Sequence, residues 1–86
     1  MLDRTQTLLD EREKTHGDYR EVASLAQGFK NLMRRQPGWV DLTMTQQESL
    51  DMISTKIARI LSGDAHEPDH YKDIAGYALL PLRGLE

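Results

Sequence analysis

Four carboxylates and two cations are spaced so that two neighbouring helices could bring them together. They are Glu48 and Asp51 as an E-x-x-D pair, Lys56 and Arg59 one to two turns on, and Asp69 and Asp73 four residues apart. Hard Mg²⁺ takes oxygen ligands and leaves room for waters and substrate phosphates, so such acids could hold the ion while Lys56 and Arg59 meet phosphate charge. The same residues admit a plain reading. Glu48 caps its helix, Asp69 complements a helix N-terminus, and Lys56 and Arg59 pair with the aspartates as an interhelical salt-bridge network. Spacing alone favours the plain reading.

His16 and Tyr19 form a second candidate pair. They flank Gly17-Asp18 at the start of a helix, where an imidazole and a phenol could hold an anion or stack on a base. A zinc pair at His66 and His70 is disfavoured, because Pro68 separates two ligands that would have to share one continuous helix. The chain has no local signature of a serine or cysteine nucleophile and no phosphate-cradling glycine loop, and no residue is assigned a catalytic role.

The elements that must position these groups are helices. Leu50, Ile53, Ile57, Ile60 and Leu61 recur as one buried stripe, which predicts a core helix over 45–62 with Thr45 and Glu48 as its capping box. Gly63 is expected to stop it in the left-handed conformation, and Pro68 fits the first turn of a helix over 69–80. Gly76, beside Asp69 and Asp73, would let a backbone or ligand approach closely. Val22, Leu25, Ala26, Phe29, Leu32 and Met33 predict a long core helix over 19–35, started by Asp18 and Glu21, with Gly28 marking a close helix crossing. Arg34 and Arg35 suit the negative pole of its dipole. A weakly amphipathic helix over 2–14 precedes it, and Pro37-Gly38 begins a linker whose Trp39 is either a lid on the core or an oligomer contact.

With 86 residues there is room for one all-α domain, 1–86, of about four helices, the hairpin 45–62/69–80 packing on the helix 19–35. A chain this short buries only about 60% of its unfolded surface, so a homo-oligomer is expected to complete the core. The net charge of −3 forms no basic stripe, which disfavours DNA and RNA as partners, and no apolar run is long enough for a membrane span. The lack of cysteine fits a reducing cytoplasm. Leu85-Glu86 reads as a vector remnant of the kind that precedes a histidine tag.

Three segments carry a resemblance. Arg12-Glu13-Lys14-Thr15-His16-Gly17-Asp18, the run K-I-A-R-I-L-S-G-D from Lys56 to Asp64, and D-H-Y-K-D-I-A-G-Y from Asp69 to Tyr77 resemble the motifs of a family of small phage and prophage proteins of unknown function. That family is similar, more distantly, to the MazG-like all-α nucleotide pyrophosphohydrolases. The resemblance implies a Mg²⁺-dependent protein that binds or hydrolyses a nucleotide in the cytoplasm of an infected or lysogenic bacterium. Its metal candidates are Glu48, Asp51, Asp69 and Asp73, and its ligand candidates are Lys56, Arg59, His16, Tyr19 and Tyr77. Glu48 and Asp51 match the E-x-x-D half of the MazG pattern, whereas Glu11, Glu13 and Glu21 do not reproduce its E-E-x-x-E half, which leaves hydrolysis open. The alternative is a non-catalytic phage accessory protein that antagonises host defence, by sequestering a nucleotide signal or by covering a host protein.

Overall fold

Turn residues divide the chain into four helices. The computed structural model describes residues 4–85. They form α1 (Arg4–His16), α2 (Tyr19–Arg34), a 3-10 turn (Pro37–Asp41), α3 (Met44–Ser62) and α4 (Pro68–Leu85), with no strand among the described residues. No helix among them is long and apolar enough to cross a membrane. Leu2, the first apolar anchor expected for the opening helix, lies outside the described residues.

Asp18 starts α2 as its spacing predicts, its carboxylate accepting the Arg20 N–H at 3.0 Å. α3 starts two residues earlier than expected. Two overlapping capping boxes are written into T-M-T-Q-Q-E, and the first one forms: the Gln46 N–H donates to Thr43 Oγ1 at 3.1 Å, and the Thr43 N–H donates to Gln46 Oε1 at 2.9 Å. The earlier start adds half a turn, and Glu48 is left exposed rather than capping. Thr43→Ala is therefore expected to cost about 1 kcal/mol in urea or thermal unfolding, and Thr45→Ala much less.

Gly63 does not stop α3 in the left-handed conformation, since its φ is −112° and its ψ −133°. Contact explains the glycine instead: a Cβ there would run into the backbone of Thr15, His16 and Gly17. The left-handed glycine is Gly17, with φ 86°, and a Cβ on it would lie 2.6–2.7 Å from the backbone and Cβ of Ser62. The two glycines thus let the α1–α2 turn lie directly on the end of α3. The Thr15 carbonyl, with two lone pairs to offer, accepts the Asp64 N–H at 3.0 Å and His70 Nε2 at 3.0 Å. An acceptor at that distance fixes the ring proton on Nε2. His70 is 1% exposed and is the largest fully buried side chain among the described residues.

α3 runs through the middle of the fold, flanked by α2 on one side and α4 on the other, both antiparallel to it. Arg34 meets Asp51 on the α2 side, and Lys56 meets Asp73 on the α4 side. α1 packs across the end of this layer, against α2 and α3, and buries none of its own side chains. α4 continues to Leu85 rather than ending at Leu80. Pro81 takes its own N–H out of the ladder and crowds the carbonyl one turn back, while Pro81, Leu82 and Leu85 line a trough against Leu42, just before α3, and Leu50 within it.

The stripes locate the packed faces only in part. Val22, Ala26 and Ala58 are the buried apolar residues, with Leu25 and Phe29 partly packed against them. The α3 stripe expected to be core is largely open, Ile57 at its centre being 38% exposed. Small and polar residues occupy the faces that α3 turns to its neighbours: Ser49, Ser54, Lys56 and Ala58. Gly28 marks no crossing, since nothing lies within 4 Å of where its Cβ would be, and the same holds for Gly76.

Candidate functional site

One concave site lies where α1, the start of α2 and the polar side of α3 meet. Arg12 and His16 fall one turn apart on α1 and so share a face, Tyr19 opens α2, and Arg59 reaches in from α3. Together with Val22 and Leu9 they line a cleft of about 300 Å³. Asp10, Glu13 and Asp18 belong to its lining as exposed carboxylates. Asp10 is bonded to Gln6 at 3.0 Å, and Asp18 is occupied as the α2 cap.

The electrostatics of the cleft centre on its bases. Burial holds the His16 imidazole below its ordinary value of 6.5, and the charges of Arg12, Arg59 and His70 lower it further, against a smaller upward pull from the Arg12 carbonyl. Every side-chain charge that acts on His16 is thus basic. Its Nδ1 is buried without a hydrogen-bond partner, and its ring stands edge-on to His70 at 5.1 Å. Arg59 is lowered from its ordinary value by desolvation first and by Arg12 second, while Asp73, Tyr19 and Tyr77 pull the other way. A guanidinium stays charged through such a shift, so Arg12 and Arg59 are two like charges held near each other. Tyr19, 79% exposed, presents its ring to solvent at the cleft.

The four carboxylates proposed for Mg²⁺ are not gathered in this chain. Glu48 lies near the start of α3 and Asp69 near the start of the antiparallel α4, which places them at opposite ends of the hairpin. Asp51 turns to α2, where Arg34 donates Nη1 and Nη2 to its two oxygens at 3.0 and 2.7 Å. That pair holds Arg34 above its ordinary value, chiefly through the hydrogen bond. The Arg34 guanidinium also lies 4.8 Å from the Trp39 ring centroid, which fixes the half-buried tryptophan against the end of α2. Asp73 faces α3, where its Oδ2 accepts Lys56 Nζ at 2.9 Å. No group of three or more His, Cys, Asp or Glu among the described residues is arranged to hold a metal ion.

The ligand candidates divide. His16, Tyr19 and Arg59 come together at the cleft. Lys56 does not join them, because it points into the α3–α4 interface and is buried there against Asp73. Tyr77 stands near Arg59 but lines a separate, open depression of about 420 Å³ with Lys72, Gly76 and Arg83. Arg12 is the residue the sequence reading missed. The signal was present, since Arg12 and His16 are spaced i, i+4 on one helix and both lie in the first shared motif.

The Lys56–Asp73 pair realises part of the expected salt-bridge network, with Lys56 rather than Arg59 as the cation bonded to Asp73. The hydrogen bond from Lys56 is the main cause holding the Asp73 carboxyl below 3.8, followed among the lowering effects by the charges of Lys56, His70 and Arg59, with desolvation opposing them. A carboxyl with a depressed folded-state value stabilises the fold above its unfolded value, and that stability is lost as pH falls through 3.8 towards the folded value. Asp73→Asn should therefore lower the melting temperature at neutral pH and flatten the acid limb of the stability profile. Adding Lys56→Met should recover part of the loss, because it removes the cation left buried without a partner. A double-mutant cycle with no coupling would mean the pair is merely a surface contact.

The curated proteins and solved structures compared with this chain include no match. A family model does match, over residues 1–83 and so nearly from end to end. The chain belongs to the family described as a domain of unknown function, DUF6378.

Proposed function

We propose that the protein binds a small phosphate-bearing molecule, a nucleotide or nucleotide-like signal, in the cleft between α1, α2 and α3. The observation that carries this reading is the convergence of Arg12, Arg59 and His16 on one cleft, with basic groups alone acting on His16. Like charges held together without a ligand cost free energy, and an anion placed among them relieves it. Arg12 and Arg59 contact the phosphates, and Tyr19 offers its face to the base.

Of the two classes implied by the sequence resemblance, this arrangement favours sequestration of a nucleotide over its hydrolysis. Arg12, Arg59 and the ring of Tyr19 line the cleft, whose own carboxylates, Asp10, Glu13 and Asp18, stand exposed to solvent, and the acids assigned to Mg²⁺ lie elsewhere, two of them in ion pairs with Arg34 and Lys56. Mg²⁺ enters this reading only as the counter-ion that a triphosphate brings with it. The MazG-like relationship and the phage setting are part of the proposal and rest on the motifs.

Binding should also take up a proton. His16 is held below the ordinary imidazole value in the empty cleft, and a bound phosphate favours its charged form, so affinity should rise as pH falls towards that lowered value.

Calorimetric titration with ATP, AMP, cyclic nucleotides, inorganic pyrophosphate and adenosine, each with Mg²⁺ and with a chelator, tests the reading, with chromatography of the recovered ligand. Binding of a phosphate compound in the chelator arm, with the ligand recovered intact, supports sequestration. Turnover confined to the Mg²⁺ arm would move the protein to the hydrolysing class. Failure of every phosphate compound to bind would sink the proposal.

A further inference from the structure

The three-helix layer has two faces, and they differ in kind. Ile57 and Arg59 are two residues apart on α3 and so point to sides about 160° apart. Arg59 opens on the cleft that α1 covers, whereas Ile57 opens on a face that no other element among the described residues covers. Leu50 and Leu61 share the Ile57 side at i−7 and i+4, 37% and 64% exposed. On α2 the same side carries Leu32, and on α4 it carries Tyr71 and Leu82, all exposed. Between α3 and α4 it is indented by the apolar trough of about 320 Å³ at Leu50 and Leu82. The strips of α3 and α4 that form this face contain no charged residue.

We infer that this face is the docking surface for a second copy of the chain, giving a two-fold dimer with both clefts on its outside. The surface area points to that occupant. A folded monomer of 9.9 kDa exposes roughly 5,200 Å², whereas this chain exposes 6517 Å², an excess of roughly 1,300 Å². A stable interface removes about 800 Å² from each partner, so one dimer contact accounts for most of the excess. The radius of gyration agrees, at 15.1 Å against about 12 Å for a compact chain of this length. The uncharged strips of α3 and α4 are complementary to their own copy without charge pairing, and a two-fold contact requires a self-complementary surface. A lipid surface fits less well, since a helix that lies on lipid borders its apolar strip with Lys and Arg.

Light scattering and sedimentation velocity at micromolar concentration should give twice 9.9 kDa, with a melting temperature that rises with protein concentration. Ile57→Asp and Leu61→Asp should each weaken association at least 100-fold. Leu79→Asp, on the outer side of α4, should leave the mass unchanged. Because the Asp variants could lose their fold together with their partner, the wild-type concentration series stands as an independent reading. A folded wild-type species of 9.9 kDa with a concentration-independent melting temperature would overturn the inference. So would dissociation by Leu79→Asp but not by Ile57→Asp, or a monomer that gains mass only on phosphatidylcholine vesicles.

Discussion

Gly17→Ala is expected to destabilise the protein by about 2–5 kcal/mol. Its φ of 86° costs a residue with a Cβ about 1–2 kcal/mol. The new methyl would also sit 2.6–2.7 Å from the Ser62 backbone, which cannot swing aside as a side chain could. Overpacking of that kind adds about 1–3 kcal/mol. Small domains begin with a stability of about 5–15 kcal/mol, so the variant should melt well below the parent. Gly28→Ala is the counterpart. Nothing lies within 4 Å of its added carbon, and removing a mid-helix glycine should raise stability by about 1 kcal/mol. Urea melts that place the two variants on the same side of the parent would mean the contact between the α1–α2 turn and α3 has been misread.

Arg59→Met should separate function from stability. The guanidinium contributes charge-assisted bonds to a phosphate, so its loss should weaken nucleotide binding about 10- to 100-fold. The fold should not suffer correspondingly, because Arg59 is partly desolvated and faces Arg12, and a methionine of similar length fills the same space. Titration should show the affinity falling while the melting temperature of the unliganded protein holds or rises. A parallel loss of both would assign Arg59 to the scaffold, through Asp73 and Tyr77, rather than to the ligand.

The helices were legible in the sequence because their punctuation is local. Asp18, Gly17 and Pro68 act through groups a few residues away, and this punctuation together with periodicity predicted the number and order of helices. What misled was the step from stripe to core. Leu50, Ile57 and Leu61 form a true apolar stripe, but a stripe shows only that some surface must be covered, not that this chain covers it. The helix contacts within the chain fall instead on small residues such as Ser54 and Ala58, which carry little periodic signal. The acids divide for a related reason. Asp51 and Asp73 lie on α3 and α4, yet each takes a cation from a different neighbour, Arg34 on one side of α3 and Lys56 on the other. Which neighbour an acid meets is set by packing angles, and these are not written in i, i+4 spacings. The cleft was half legible for the opposite reason: His16 and Tyr19 stood out beside a turn, whereas Arg59 joins them only through the long-range contact of the two glycines.

That contact also bears on the order in which the molecule assembles. The turn between α3 and α4 spans residues 63–67, so those helices can pair with little loop-closure entropy to overcome. The bond from His70 to the Thr15 carbonyl joins residues 55 apart, and the acceptor it needs is positioned only once α1 has ended at Gly17. The hairpin should therefore belong to the folding nucleus and the bond should close late, leaving the transition state without it. Interactions absent from the transition state govern how fast a protein unfolds rather than how fast it folds. The bond from the buried histidine should then slow unfolding while leaving the folding rate little changed.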